Sequence, residues 1–294
     1  MPTGKPKPAP VIIDLDGSVG SLPDAQVLPM QDWQEAVRFG CSLATMRRFG
    51  TALADRLPTR HGTVFMGSGD FHHVSWPLIA RLQPAQPIQV VVLDNHPDNM
   101  RFPFGIHCGS WVRRVAALPH VSHVHVIGIT SRDIGPAHAW ENYLAPLWRG
   151  KLTYWSIGAD TGWARRLGIA DRFRNFTDPD ALVEAFTSRQ RRHPQPAYLS
   201  IDKDVFHPDT ARTNWDQGQF RLPQALAVIE ALAAPLAGSD INGEVSHYRY
   251  RAWWKRRLSA LDDQPEIDPA QLAAWQAQQH ALNLQLLDAI QAKT

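Results

Sequence analysis

The segment Ile88 to Asp98, IQVVVLDNHPD, decides how this chain is to be read. Its first six residues form a β-branched, apolar run of strand length, and a polar cluster ends it. Asp94, His96 and Asp98 then stand at alternate positions, so an extended backbone turns all three to one face. Working outward, further β-branched or aromatic runs occur at Val11 to Leu15, Thr63 to Met66, Val124 to Ile129, Leu152 to Ile157 and Ala197 to Ile201. Segments with helical spacing lie between them: Gln31 to Phe49, Trp111 to Leu118, Ala181 to Gln190 and Leu222 to Leu236. This alternation predicts an α/β fold, a three-layer α/β/α sandwich around a mostly parallel central sheet. Ligands of such sheets bind outside the carboxyl ends of the strands, so chemistry is expected just after each strand.

Composition narrows the choice. The chain of 294 residues is 44% hydrophobic and 20% charged, which suits one large globular domain over residues 11–294. Residues 1–10, MPTGKPKPAP, read as a flexible leader without the apolar run of a secretory signal. From Asp268 onward, an Asp-Pro start and the spacing of Leu272, Trp275, Leu282 and Leu286 predict a terminal helix packed on the domain. Thirty Lys and Arg against 28 Asp and Glu give a net charge of +2, which offers no global attraction to nucleic acid or an anionic membrane. The basic and aromatic stretch Arg249 to Leu258 reads as a snorkelling helix face rather than a nucleic-acid binder. Cys41 and Cys108 suggest neither a disulfide framework nor a thiolate zinc site, and a reducing cytoplasm is the simplest setting.

Three polar clusters follow expected strands. Besides Asp94-His96-Asp98 there is Asp202-Lys203-Asp204 after AYLSI, and Phe71-His72-His73 after TVFMGSGD. An aspartate at a strand end is commonly a turn former or helix cap, and a lone D-x-D is frequent by chance. Asp14 and Asp16, beside Gly17, fit that turn reading. Three clusters at corresponding places are poorly explained by chance. Four carboxylates with two imidazoles and no thiolate favour manganese or another oxygen-preferring divalent ion. Six ligands with several carboxylates are generous for one ion and natural for two, which points to hydrolysis.

These motifs resemble those of the ureohydrolase superfamily of arginases, agmatinases and formiminoglutamases, over roughly residues 67–246. DNHPD resembles the family's D-A-H-x-D, and SIDKDVFHP its S-x-D-x-D-x-x-D-P, with His207 in place of the last Asp. GDFHHVS resembles G-G-D-H-S, with His72 the favoured ligand and His73 the alternative. The resemblance implies an arginase-like fold and two divalent ions, with Asp94 and Asp202 bridging, His72 and Asp98 on one ion, and His96 and Asp204 on the other. It implies a proton shuttle at His107 in GIHCGSWVRR and a carboxylate beside the substrate guanidinium at Glu244 in GSDINGEVS. Self-assembly, common among such relatives, is a further expectation.

The expected reaction is hydrolysis of a guanidino C–N bond in an arginine- or agmatine-like compound or an arginine-containing peptide, with release of urea. The alternatives are amide or formimino hydrolysis with the same metals, and a non-catalytic binding protein. Met100 occupies the position where an Asn of arginase-like relatives helps bind the amino-acid carboxylate. Arg212 and Trp215, in the HPDTARTNWDQGQF segment, suggest a differently shaped mouth.

Overall fold

A computed structural model of the chain describes residues 7–259 and 267–294; residues 1–6 of the expected leader lie outside the described residues. In chain order the strands are β1 (Val11–Asp14), β2 (Gln26–Pro29), β3 (Gly40–Cys41), β4 (Val64–Phe65), β5 (Ile88–Leu93), β6 (Ile106–His107), β7 (Val121–Ile129), β8 (Leu152–Ile157), β9 (Phe173–Phe176), β10 (Pro196–Asp202) and β11 (Ala233–Asn242). Nine form one sheet in the order β2-β1-β4-β11-β10-β5-β7-β8-β9, and every pairing in it is parallel. The short strands β3 and β6 pair antiparallel, with Gly40 opposite His107.

The period of two along β5 divides two cores. Val90 and Val92 pack into one core with Phe49, Leu78 and Val115, beneath helices Leu43–Ala54, Ser75–Ala80 and Val112–Ala116. Val91 and Leu93 pack into the other with Phe186, Val228 and Leu286, beneath helices Pro179–Arg192, Leu222–Ala231 and Pro269–Gln291. The expected three layers are therefore present. The terminal helix starts as its Asp-Pro signal requires, the Asp268 side chain accepting a hydrogen bond from the Ala270 N–H. Leu282, Leu286, Leu287 and Ile290 bury its inner face. Among the described residues no helix is long and apolar enough to cross a membrane.

Two expected helices are corrected. Leu222 to Leu236 was to be one helix, but it ends at Ala231 and the chain re-enters the sheet as β11, between β4 and β10. The Ala- and Leu-rich sequence favours helix locally, and the vacant place between two parallel neighbours overrides it. Gln31 to Phe49 is also interrupted. Phe39 takes a φ of 65° and Gly40–Cys41 pairs with β6 before a new helix starts at Leu43, capped by Ser42, which accepts from the Thr45 N–H. The break buries Arg38, whose guanidinium bridges Asp70 at 2.7 Å and Asp16 at 3.2 Å.

Candidate metal centre

The four central strands β4, β11, β10 and β5 deliver the polar clusters to one place. Asp94 follows β5 directly, Asp202 ends β10, and the Gly69–Val74 turn after β4 carries His72. His72 Nδ1 lies 2.8 Å from Asp98 Oδ2, 3.1 Å from Asp94 Oδ2 and 3.4 Å from Asp202 Oδ2. His96 Nδ1 lies 2.9 Å from Asp204 Oδ2 and 3.6 Å from Asp94 Oδ1. His72, Asp94 and Asp202 form one group able to hold a cation, and Asp94, His96 and Asp204 a second; Asp94 is common to both. Asp202 joins only the first of these groups. Asp98 stands beside that first group, at a φ of 47°.

Both imidazoles are oriented from behind. His72 Nε2 is 2.9 Å from Ser200 Oγ, whose own hydrogen goes to Asp240 Oδ1 at 2.7 Å. Ser200 must therefore accept from His72 Nε2–H, which leaves Nδ1 facing the carboxylates. His96 Nε2 meets Asp216 Oδ1 at 2.6 Å, and Asn95 Nδ2 donates to Asp216 Oδ2. That arrangement likewise turns Nδ1 of His96 inward. Histidines that ligate metals are commonly held by such a carboxylate or hydroxyl behind the ring. His73 belongs to neither group; its ring is buried near the Val37 backbone, and burial pushes its pKa well down.

The donor set fits divalent cations. His72 Nδ1 and Asp94 Oδ2 are buried without a well-aligned hydrogen-bond partner, and acceptors this crowded need positive charge between them. Burial, with repulsion from Asp94, pushes Asp98 up to about 7. Burial raises Asp202 to about 6, against the pull of His72 and with the repulsion of Asp94. Asp204 is raised by burial and by Asp202. Burial alone would lower His72, yet Asp94, Asp98 and Asp202 raise it well above its ordinary value. Protons thus compete for a place that carboxylate oxygens and imidazole nitrogens would offer to oxygen-preferring metals. Close packing keeps the donors in register. At Gly243, with φ of 89°, a Cβ would come within 2.4 Å of Asp202 Oδ1.

A cavity of about 970 Å³ opens above the cluster, with Phe39, Met100, Phe102, His107, Trp215 and Trp275 on its walls. His107, the expected proton shuttle, lies in the cavity wall, and burial depresses its pKa to about 4. Its Nδ1 accepts from the Gly109 N–H at 3.0 Å, so the neutral ring carries its proton on Nε2. Glu244 was expected beside the substrate, but it is not among the residues lining the cavity. Its Oε1 pairs with Lys203 Nζ and accepts from Asn283 Nδ2 at 2.7 Å, so an internal lysine supplies its cation. Arg249 to Leu258 also differs from the snorkelling expectation: Lys255 is buried and its Nζ donates to the Glu35 and Arg38 carbonyls.

No family model matches the sequence. A Thermotoga maritima protein described only as uncharacterized is 28% identical over 204 residues, which cover 69% of this chain and 65% of that protein's length. Among solved structures, proclavaminate amidino hydrolase from Streptomyces clavuligerus superposes with a TM-score of 0.53 at 17% identity, covering 99% of this chain and 94% of that one. Formimidoylglutamase from Bacillus subtilis gives a TM-score of 0.53 at 14% identity, covering 100% and 89%. The chain has the arginase-like fold. Within that arginase-like frame, Asp216 is the site residue that sequence reasoning missed. It lies in the TNWDQG loop, far from any strand end, and its one legible signal was a carboxylate in a segment already expected to shape the mouth. Asn99, one residue before Met100, points its amide to the Tyr143 carbonyl and Tyr154 hydroxyl, both at 2.8 Å, rather than to the cavity.

Proposed function

We propose that the protein is a dinuclear-metal hydrolase that cleaves a guanidino C–N bond and releases urea. The observation that supports this most is the pair of buried donor groups sharing Asp94, each with an imidazole nitrogen turned inward. His72, Asp94, Asp98 and Asp202 would hold one divalent ion, manganese being the best match, and Asp94, His96 and Asp204 the other. When bound, two such ions activate a water near neutral pH and stabilise the charge that develops in the transition state.

The remaining residues bind and orient. Asp133, Glu141 and Asp216 line the cavity with negative charge, which raises the local concentration of a cationic substrate. Phe39 and Trp215, with ring planes 11° apart, offer flat faces to a planar cation and exclude water. Neutral His107 donates from Nε2, a hydrogen bond for the nitrogen that leaves as an amine. The products are urea and the amine of the substrate, with one water consumed.

A second reading keeps the metals and changes the bond to a formimino or amide C–N. One observation favours it: the carboxylate of Glu244 is already neutralised by Lys203, and so is less free to pair with a guanidinium. Product analysis separates the two readings. Manganese-loaded protein incubated with a panel of guanidino and formimino compounds should release urea from a guanidino member. Formamide or ammonia from a formimino member, with no urea anywhere, would favour the second reading, and no product from either set would refute guanidino and formimino hydrolysis alike.

A further inference from the structure

The cavity does not end at the metal cluster. Segment 99–104 and segment 137–143 run side by side above it: Met100 bridges Asn142, the Tyr143 N–H donates to the Asn99 carbonyl at 3.0 Å, and the Arg101 N–H donates to the Glu141 carbonyl at 2.6 Å. The inner side of this paired lip supplies Met100, Phe102, His138 and Glu141 to the cavity wall. The same two segments carry two large aromatic residues that are exposed to water and are not among the lining residues. Phe104 is 75% exposed and edges against Phe102 with ring centroids 5.8 Å apart. Trp140 is 67% exposed and lies between the two lining residues His138 and Glu141. The volume of about 970 Å³ is at the upper end of the roughly 300–1,000 Å³ that encloses a drug-sized ligand. Both residues belong to segments that line the cavity, so a ligand that extends past the lining residues can cover them.

We infer that the substrate carries its reacting group on a cationic body with an aromatic or other apolar extension, and that the lip of Phe104 and Trp140 binds that extension. The inference rests on the hydrolase reading for the identity of the reacting end, but not for the lip. Three features converge on this class. The walls between cluster and mouth are aromatic at Phe39, Phe102 and Trp215, so an apolar body is not desolvated against charge. Asp133 and Glu141 both line the cavity, so a cation there would meet carboxylates. The rings sit beyond the lining residues, so a small free amino acid filling the floor would leave them uncovered.

The test uses the full chain loaded with manganese and two pairs of probes in isothermal titration calorimetry. Arginine amide against Nα-benzoylarginine amide reads the whole cavity. Butylamine against 4-phenylbutylamine reads the lip without any guanidino group. The phenyl member of each pair should bind at least about tenfold more tightly, the expectation for partial burial of one aromatic ring. The Phe104→Ser/Trp140→Ser double variant should lose most of that gain while keeping its metal content and its affinity for arginine amide. A phenyl preference among the amines that depends on these two residues supports the lip even if no guanidino compound releases urea. Equal binding within the amine pair, or a phenyl preference that survives the double variant, overturns it even if urea is released.

Discussion

At the floor of the cavity Asp94, Asp202 and Asp204 stand at or just past the ends of parallel strands and His72 in the turn after β4; one oxygen of each of these aspartates accepts a main-chain N–H, and Ser200 holds the second nitrogen of His72. At the rim, Phe39, Phe102 and Trp215 sit on irregular segments and Trp140 on a single short turn of 3-10 helix, outside the sheet. The floor is determined by the sheet, because moving one donor means moving a strand that packs on both faces. The rim lies outside the sheet, although the loop of Trp215 also braces the floor where Asp216 meets Asn95 and His96. Reaction class is therefore a property of the floor, and choice of substrate a property of the rim.

Breaking the floor should have the largest effect. Asp94 is the residue common to both donor groups, so Asp94→Ala should empty both of metal and abolish hydrolysis, measured as metal content and product release on the same sample. Next in size is the buried support beneath it. Lys203→Met would leave Glu244 buried without its cation, costing about 3–5 kcal/mol of stability in chemical denaturation. Adding Glu244→Gln should restore much of the loss, which separates charge from packing.

A smaller, more selective effect is expected behind the ring of His96. Asp216→Asn should weaken the ion of the second group by about 10–100-fold and spare the first, so that titration with limiting manganese shows one tight and one weak site. The pH dependence sharpens the comparison further. Asp98 and Asp202 are raised to about 7 and about 6 in the folded chain, so without metal these two carboxyls hold protons in the folded state that they would lose in the unfolded one between about pH 4 and 7. Their contribution to the stability of metal-free protein is therefore lost as pH rises through that window, and because manganese competes with those protons it should raise the melting temperature more at pH 8 than at pH 5. A manganese-induced shift that does not change with pH would count against carboxylates as the ligands.

Much of the floor was legible because its determinants are local. The β-branched run before Asp94 and the alternation after it are sequence properties, and the same holds for Asp202 and Asp204. Distinguishing His72 from His73 needed the fold, since only the turn after β4 shows which ring reaches Ser200 and the carboxylates. β11 was hidden because its Ala-rich start has helical propensity, and a place in the middle of a sheet outweighs that preference. The partners of Glu244 were hidden for a related reason. Whether a carboxylate faces a cavity or a lysine depends on a residue 41 positions away and on the C-terminal helix that brings Asn283. Asp216 lies on a loop, where neither periodicity nor a strand end marks a side chain. The depressed pKa of His107 comes from burial, which a sequence does not display.

Metal stoichiometry tests the central claim most directly. The full chain, stripped with a chelator, reloaded with manganese and freed of excess, would be measured by inductively coupled plasma mass spectrometry beside the Asp94→Ala variant. Two ions per wild-type chain and none in a folded Asp94→Ala variant is the expected result. No bound ion in folded wild-type protein, or an unchanged metal content in the variant, would contradict a dinuclear centre built around Asp94.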